Sequence, residues 1–207
     1  MVRFIIVRHG ITDFNKIRKY QGQYDSTLEP IGIEQAKITA EFVSTKYNID
    51  AIYSSDLTRA VKTAEPFAKL FSLQIQTDPA LREVDVGYWT LQFIADVEKN
   101  DPDNIRAYRA SIGTFRFPGG ESFAEAMERA AAKAEEIARK HDGQTVLLVS
   151  HGGTIRALIC HWLGYPIEDL QKVTPVKNTS LTVAEYENGC VKFLSMGDNS
   201  HLPEELR

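Results

Sequence analysis

The chain has 207 residues, 43% of them apolar and 25% charged. This places it with ordinary globular proteins and excludes a disordered, collagenous or disulfide-built chain. Lys and Arg number 24 against 28 Asp and Glu, a formal net charge of −4, which excludes a broad electrostatic footprint on nucleic acid but leaves room for a small, locally basic pocket.

One domain spanning residues 1–207 is expected from the length. The two cysteines, Cys160 and Cys190, form no CxxC or other metal-binding or redox motif. The apolar run at the N-terminus is too short for a signal peptide and ends in charge, and no stretch approaches the eighteen or so apolar residues of a membrane span. A cytoplasmic protein without a membrane or nucleic-acid partner is expected.

Phe4 to Val7 reads as a buried strand, being continuous, apolar and β-branched. A polar loop containing glycine runs on to about Leu28. Pro30 suits a first helical turn, and Ile33, Ala36, Ala40 and Val43 recur at helical spacing, so a helix reaches about Lys46. Ala51 to Ser54 is a second strand. A helix starts near Leu57 and is expected to kink or end at Pro66, and Leu73 to Gln76 is a third strand. Residues 81–120 are irregular, with two short helical stretches. Their wealth of Trp, Tyr and Phe marks an insertion over the sheet, a lid of about residues 84–120, rather than a linker.

A long helix is expected from Ser122, which has capping-box spacing to Glu125, as far as Lys140. Thr145 to Val149 is the strongest strand, followed by a helix to Leu163. Leu181 to Tyr186 and Val191 to Leu194 flank Asn188-Gly189, a strong hairpin signal. Alternating strands and helices predict an α/β fold, a mostly parallel sheet sandwiched by helices, with a C-terminal β-hairpin.

Arg8-His9-Gly10 directly follows the first strand, and Ser150-His151-Gly152-Gly153 directly follows the strongest later one. Ligands of open α/β sheets bind outside the carboxyl ends of strands. If the two strands are neighbours, His9 and His151 meet there, and the helix beginning near Gly153 aims its N-terminal N–H groups at the same spot, favouring an anion. One loop histidine alone carries little weight. Two at matching strand ends, both beside glycine, carry more. His141, His161 and His201 lack that setting and read as surface or packing histidines.

Arg59 lies in the first turn of the helix after the second strand, where a cation opposes the helix dipole unless an anion sits between them. Glu83 and Asp85 follow the third strand. The bland reading of Glu83 is a salt bridge with Arg82. The functional one is a general acid among apolar residues, its pKa raised.

Two histidines, two arginines and a carboxylic acid around a glycine-rich crevice suit phosphoryl transfer. Arginine forks match phosphoryl oxygens and stay charged. One neutral imidazole attacks phosphorus, the other donates to the equatorial oxygens, and the carboxyl moves protons. No phosphate-binding P-loop, zinc-binding HExxH, GxSxG elbow or GxGxxG after a strand is present, and neither cysteine has an arginine six residues on. A metal ion or other cofactor is not required.

In order along the chain stand Arg8-His9-Gly10-Ile11-Thr12, Asn15, Gln21-Gly22 with Asp25, Ser54-Ser55-Asp56-Leu57-Thr58-Arg59-Ala60, Glu83 with Gly87 and Trp89, Gly119-Gly120-Glu121-Ser122, Ser150-His151-Gly152-Gly153 and Asn178-Thr179-Ser180. This ordered set resembles the histidine phosphatase superfamily, in its phosphoglycerate mutase-like branch, over nearly the whole chain. The resemblance implies His9 as nucleophile. It implies a phosphate pocket of Arg8, Arg59, His151 and the Gly152 backbone, lined by Asn15, Gln21 and Gly22, with Asn178 also binding substrate. Glu83 is the implied proton donor, ahead of Asp85, and no metal ligand is implied. Phe14, Glu29-Pro30, Lys62 and Thr90-Leu91 depart from the family's usual residues at those places.

The family's classical mutases are longer, so the chain resembles its short phosphatases. Phe115 to Ser122 resembles the lid of α-ribazole phosphatases; broad-specificity and metal-independent phosphoserine phosphatases are similar overall. The expected activity is therefore metal-independent hydrolysis of a small-molecule phosphate ester through phosphohistidine, on α-ribazole 5′-phosphate or with broad specificity. The alternatives are a phosphoglycerate mutase, a phosphoserine phosphatase or, less in keeping with the residues, a non-catalytic binding module. Trp89, Tyr108, Phe115 and Phe117 either stack on a leaving group or pack a core. Arg106, Arg109 or Arg116 is placed to meet an acidic leaving group. A homodimer is compatible with the resemblance.

Overall fold

Six strands form one sheet in the computed structural model, which describes residues 1–207. They are β1 (Val2–Arg8), β2 (Ala51–Ser54), β3 (Ile75–Thr77), β4 (Thr145–Ser150), β5 (Leu181–Glu187) and β6 (Cys190–Asp198), in the spatial order β3-β2-β4-β1-β5-β6. The first four are mutually parallel, while β5 runs antiparallel to β1 and β6 antiparallel to β5. The helices are α1 (Asp13–Ile17), α2 (Pro30–Ser44), α3 (Thr58–Phe71), α4 (Ile94–Asn100), α5 (Pro102–Ala110), α6 (Phe123–Lys140) and α7 (Gly152–Trp162).

The central strands are continuously apolar over Phe4–Val7 and Val146–Val149 because both faces of the sheet are covered. Phe4, Ile6, Val146 and Leu148 join Ala126, Ala130 and Ile137 of α6 and Ile155 and Leu158 of α7 in one core. Ile5, Val7, Leu147 and Val149 join Ala40 and Val43 of α2 and Ala60, Ala64 and Phe67 of α3 in the other. The alternation follows from the period-2 geometry of a strand.

The expected α/β sandwich, the two short helices between residues 81 and 120 (α4 and α5), the Ser122–Glu125 capping box on α6 and the C-terminal hairpin are all present. Asn188 and Gly189, with φ of 50° and 83°, make the hairpin's tight turn.

Four expectations need correction. The first loop contains a helix, α1, started by a reciprocal Thr12–Asn15 capping box. Pro66 does not end α3, which continues to Phe71. Phe67, just beyond the proline, is fully buried, and the carbonyl that the proline leaves unpaired belongs to Lys62, on the exposed side. Burying a phenylalanine is worth roughly 1.5–3 kcal/mol, enough to offset much of the ~3 kcal/mol an interior proline costs. Finally, β3 begins at Ile75 rather than Leu73, and β6 runs from Cys190 to Asp198, longer than its apolar stretch.

The site follows from the pairing of β1 with β4. Arg8 lies opposite Ser150, and the His9 N–H donates to the Ser150 carbonyl at 3.0 Å. The two histidines leave adjacent strands at the same level. The His9 loop then passes so close to the start of α2 that a Cβ on Gly10 would lie 2.4 Å from the Gly32 carbonyl oxygen, and one on Gly32 would lie 2.2 Å from that of Ile11. Only glycine fits at either position.

Candidate active site

The His9 and His151 rings are 5.1 Å apart, centroid to centroid, and both side chains are buried. Nδ1 of His9 is 2.8 Å from the Gly10 carbonyl oxygen. A carbonyl only accepts, so Nδ1 carries the proton and Nε2 keeps its lone pair. Burial, then the charges of Arg59 and Arg8, hold the His9 pKa well below the ordinary imidazole value. Burial and then Arg59, His9, Arg8 and Arg129 do the same for His151. His9 is thus a neutral imidazole offering Nε2.

Asn178, expected to touch substrate, braces the nucleophile loop. Its amide donates to the His9 carbonyl at 2.9 Å and to Asn15 Oδ1 at 3.3 Å. Asn15 lines the cleft and also caps α1.

Arg59 is fully buried at the start of α3. It donates through Nη1 to the Tyr24 carbonyl at 2.7 Å and through Nη2 to the Gly22 carbonyl at 2.8 Å. The loop containing Gln21 and Gly22 therefore wraps the guanidinium, and Gln21 Oε1 accepts from Thr12 and Ser26. Burial pulls the Arg59 pKa down to about 10, which leaves it charged at neutral pH. Arg8 donates through Nη1 to the Val176 carbonyl at 2.7 Å and passes beside Gly152, where an added Cβ would lie 3.2 Å from the Arg8 guanidinium carbon.

Four buried donor or ring atoms at this place have no hydrogen-bond partner in the protein: Nε of Arg8, Nε of Arg59, and Nδ1 and Nε2 of His151. Buried polar groups are nearly always paired, so four orphans in one spot need an explanation.

Glu83 lines the cleft and Asp85 does not. Asp85 accepts from the Gly87 N–H. Glu83 is not paired with Arg82, whose guanidinium holds both oxygens of Asp56, at 2.7 and 2.5 Å. Nor does it sit among apolar groups alone. Its carboxylate accepts from the backbone N–H of Val84 at 2.9 Å, Gly153 at 3.2 Å and Thr154 at 3.1 Å. The N-terminus of α7 was expected to face an external anion, but it holds the chain's own carboxylate. Gly153 is needed for this approach, because a Cβ there would lie 2.6 Å from Glu83 Oε1.

Val84, Val86, Tyr108 and Phe117 line the cleft wall, and Lys19 and Tyr20 come from the first loop. Trp89, Tyr108, Phe115 and Phe117 pack mainly on one another, with ring centroids 5.2–5.9 Å apart. Trp89 and Phe117 are buried, so packing is the main role of this set. Arg106, Arg109 and Arg116 lie outside the cleft, paired with Asp103, Glu98 and Glu125. Beside Arg8 and Arg59, the further cation at the cleft is Lys19, which sequence reasoning passed over because it belongs to no motif. No group of three or more His, Cys, Asp or Glu side chains is placed to hold a metal ion, and no helix is long and apolar enough to cross a membrane.

The depressed histidines have a consequence for stability. Below about pH 6.5 the unfolded chain protonates both imidazoles and the folded chain does not. Their contribution is therefore intact above that pH and is lost as pH falls, by up to ~1.4 kcal/mol per pH unit for each histidine. Urea unfolding between about pH 7 and about pH 5.5 should show a shallower decline in His151→Asn than in the unaltered protein. Equal slopes would mean that His151 protonates as freely in the fold as out of it.

The model of the histidine phosphatase superfamily (branch 1) matches residues 4–199, and the chain belongs to that family. It is 33% identical over 206 residues to phosphoserine phosphatase 1 of Hydrogenobacter thermophilus, covering 99% of this chain and 96% of the relative. It is 35% identical over 203 residues to phosphoglycerate mutase-like protein 4 of Arabidopsis thaliana, covering 97% and 86%. Among solved structures, YhfR of Bacillus stearothermophilus superposes with a TM-score of 0.91 at 28% identity, covering 97% and 99%.

Proposed function

We propose that this chain hydrolyses small phosphomonoesters without a metal ion, through a phosphohistidine on Nε2 of His9. The observation that carries the reading is the set of orphaned buried donors on Arg8, Arg59 and His151, gathered around a neutral imidazole whose free nitrogen is Nε2. A phosphoryl group presents three oxygens to those donors and phosphorus to that lone pair.

In the first step the His9 Nε2 lone pair forms the N–P bond as the bond from phosphorus to the ester oxygen breaks, and Glu83, as the acid, protonates the departing oxygen. In the second, Glu83 as carboxylate takes a proton from water. The water oxygen bonds to phosphorus, the N–P bond breaks, and inorganic phosphate leaves with His9 neutral again. Arg8, Arg59 and His151 stabilise the charge on the equatorial oxygens throughout. Asn15, Gln21, Gly22 and Gly152 shape the pocket, and Asn178 holds the His9 backbone.

The cleft measures about 230 Å³, below the roughly 300–1,000 Å³ of typical ligand sites. With the aromatic set packed on itself, this favours a compact leaving group, as in phosphoserine or 3-phosphoglycerate, over the flat base of α-ribazole 5′-phosphate. The name of the phosphoserine phosphatase relative points the same way. The reading takes residues 1–207 as one catalytic domain, with 84–120 as its lid, working in the cytoplasm alone or as a homodimer.

The test is phosphate release by chelator-treated protein from p-nitrophenyl phosphate, phosphoserine, 3-phosphoglycerate and α-ribazole 5′-phosphate. Full activity with chelator and the highest kcat/KM on a compact ester are expected. Interconversion of 3- and 2-phosphoglycerate without net phosphate release would make the chain a mutase. A requirement for added metal would overturn the mechanism.

A further inference from the structure

Glu83 lies in a stretch with no strand or regular helix to hold it, yet its backbone is tied down at every carbonyl. The Ala80 carbonyl accepts from Arg129 Nη1 at 2.7 Å, and that of Leu81 from Ser150 Oγ at 2.7 Å. The Arg82 carbonyl accepts from Arg129 Nη1 at 2.8 Å and Thr154 Oγ1 at 2.7 Å. The Glu83 carbonyl accepts from Arg129 Nη2 at 3.1 Å and Gln23 at 3.2 Å. Arg129 thus serves three of four consecutive carbonyls. Its remaining donor directions go to Glu121, Nε to Oε2 at 3.1 Å and Nη2 to Oε1 at 2.6 Å. Glu121 Oε1 also accepts the Asp85 N–H at 2.9 Å. The pair grips the loop on both sides of Glu83.

Arg129 stands in the second turn of α6, the long helix with a closed capping box whose Ala126 and Ala130 are fully buried. The anchor is therefore a rigid element. Arg129 and Glu121 are 22% and 16% exposed, a partly desolvated setting in which a bidentate pair holds its geometry better than at the surface. Arg129 does not line the cleft. Five directed bonds need the planar fork, which lysine lacks.

We propose that Arg129, locked by Glu121, is the positioning residue that keeps the Glu83 carboxyl at the departing oxygen. This rests on the reading of Glu83 as proton donor. General acid catalysis is felt in proportion to how poor the leaving group is. An alkoxide must be protonated as it departs, whereas a nitro-substituted phenolate leaves unaided. Misplacing Glu83 by about 1 Å costs on the order of 10²-fold where the proton matters.

The experiment is kcat/KM, which reports steps up to departure of the leaving group, for phosphoserine and for 2,4-dinitrophenyl phosphate. Arg129→Met is expected to lose ~10²-fold in kcat/KM on the alkyl ester and less than ~3-fold on the aryl ester. Glu121→Gln, which keeps side-chain size, should show the same selectivity and serves if Arg129→Met fails to fold. In a Glu83→Gln background Arg129→Met should add almost nothing on the alkyl ester, because the two act as one unit. Equal losses on both esters, or full multiplication of the two effects, would reduce Arg129 to a structural residue and overturn the proposal. Absence of His9-dependent turnover of the aryl ester in the unaltered protein would be a different failure, that of the phosphohistidine reading itself, and the proposal would fall with it.

Discussion

Replacing His9 by alanine is expected to lower kcat/KM for p-nitrophenyl phosphate by ~10⁴-fold or more, the scale on which loss of a nucleophile acts in a cooperative site. The fold should survive. The only hydrogen bond of the ring runs from Nδ1 to its neighbour Gly10, and Asn178 grips the His9 carbonyl rather than the side chain. Removing an imidazole that burial and two arginines hold unprotonated should even make the variant less sensitive to acid unfolding than the unaltered protein. Stopped-flow mixing of the unaltered protein with the aryl ester should show a burst of p-nitrophenolate of one equivalent per active site wherever hydrolysis of the phosphoenzyme is slow, with the phosphoryl group recovered on His9 after an alkaline quench. Turnover by His9→Ala within about tenfold of the original would place the nucleophile elsewhere, with His151 the only other imidazole in reach.

The parts of this site that could be read from the chain are those fixed by local pattern. His9 and His151 were legible because each ends an unmistakable buried strand beside glycine, and a parallel sheet brings such ends to one edge. The Ser122 capping box and the Asn188-Gly189 turn were legible because a cap and a two-residue turn are decided within four residues. The supporting contacts were not. Whether Glu83 or Asp85 faces the cleft depends on a turn whose carbonyls are held from α6, 46 to 49 residues away along the chain. Asn178 reaches the His9 carbonyl across 169 residues. Glu83 occupies the start of α7 because Gly153 leaves room for it, a fact about packing that no spacing reveals. Pro66 misled for the same reason, since burial of Phe67 offsets much of a local cost.

Arg59→Met should be the second large effect, and its several consequences can be told apart. The side chain keeps its length, but the Gly22 and Tyr24 carbonyls lose their donor. An unsatisfied buried carbonyl costs ~1–3 kcal/mol, while removing a buried cation that lacks an ion-pair partner returns part of its desolvation cost. Net destabilisation of ~1–3 kcal/mol is expected, read from the urea midpoint at unchanged slope. Catalysis should suffer more. One preorganised charged donor facing the transferring phosphoryl is worth ~10²–10³ in rate, so kcat/KM should fall by about that factor for aryl and alkyl esters alike, unlike the selective loss expected of Arg129→Met.

The pH profile separates charge from shape. Arg59 is the leading charge holding His9 and His151 unprotonated. Without it both imidazoles bind protons more readily, and the acid limb of kcat/KM should move to higher pH. Arg59→Lys keeps the charge, so its acid limb should stay near the original. A single ammonium cannot bond both carbonyls and the substrate in the planes the guanidinium fork serves, so most of the rate loss should persist. An acid limb that stayed put in Arg59→Met would mean that burial and Arg8 suffice to keep His9 neutral, and Arg59 would then act only as a ligand to the phosphoryl oxygens.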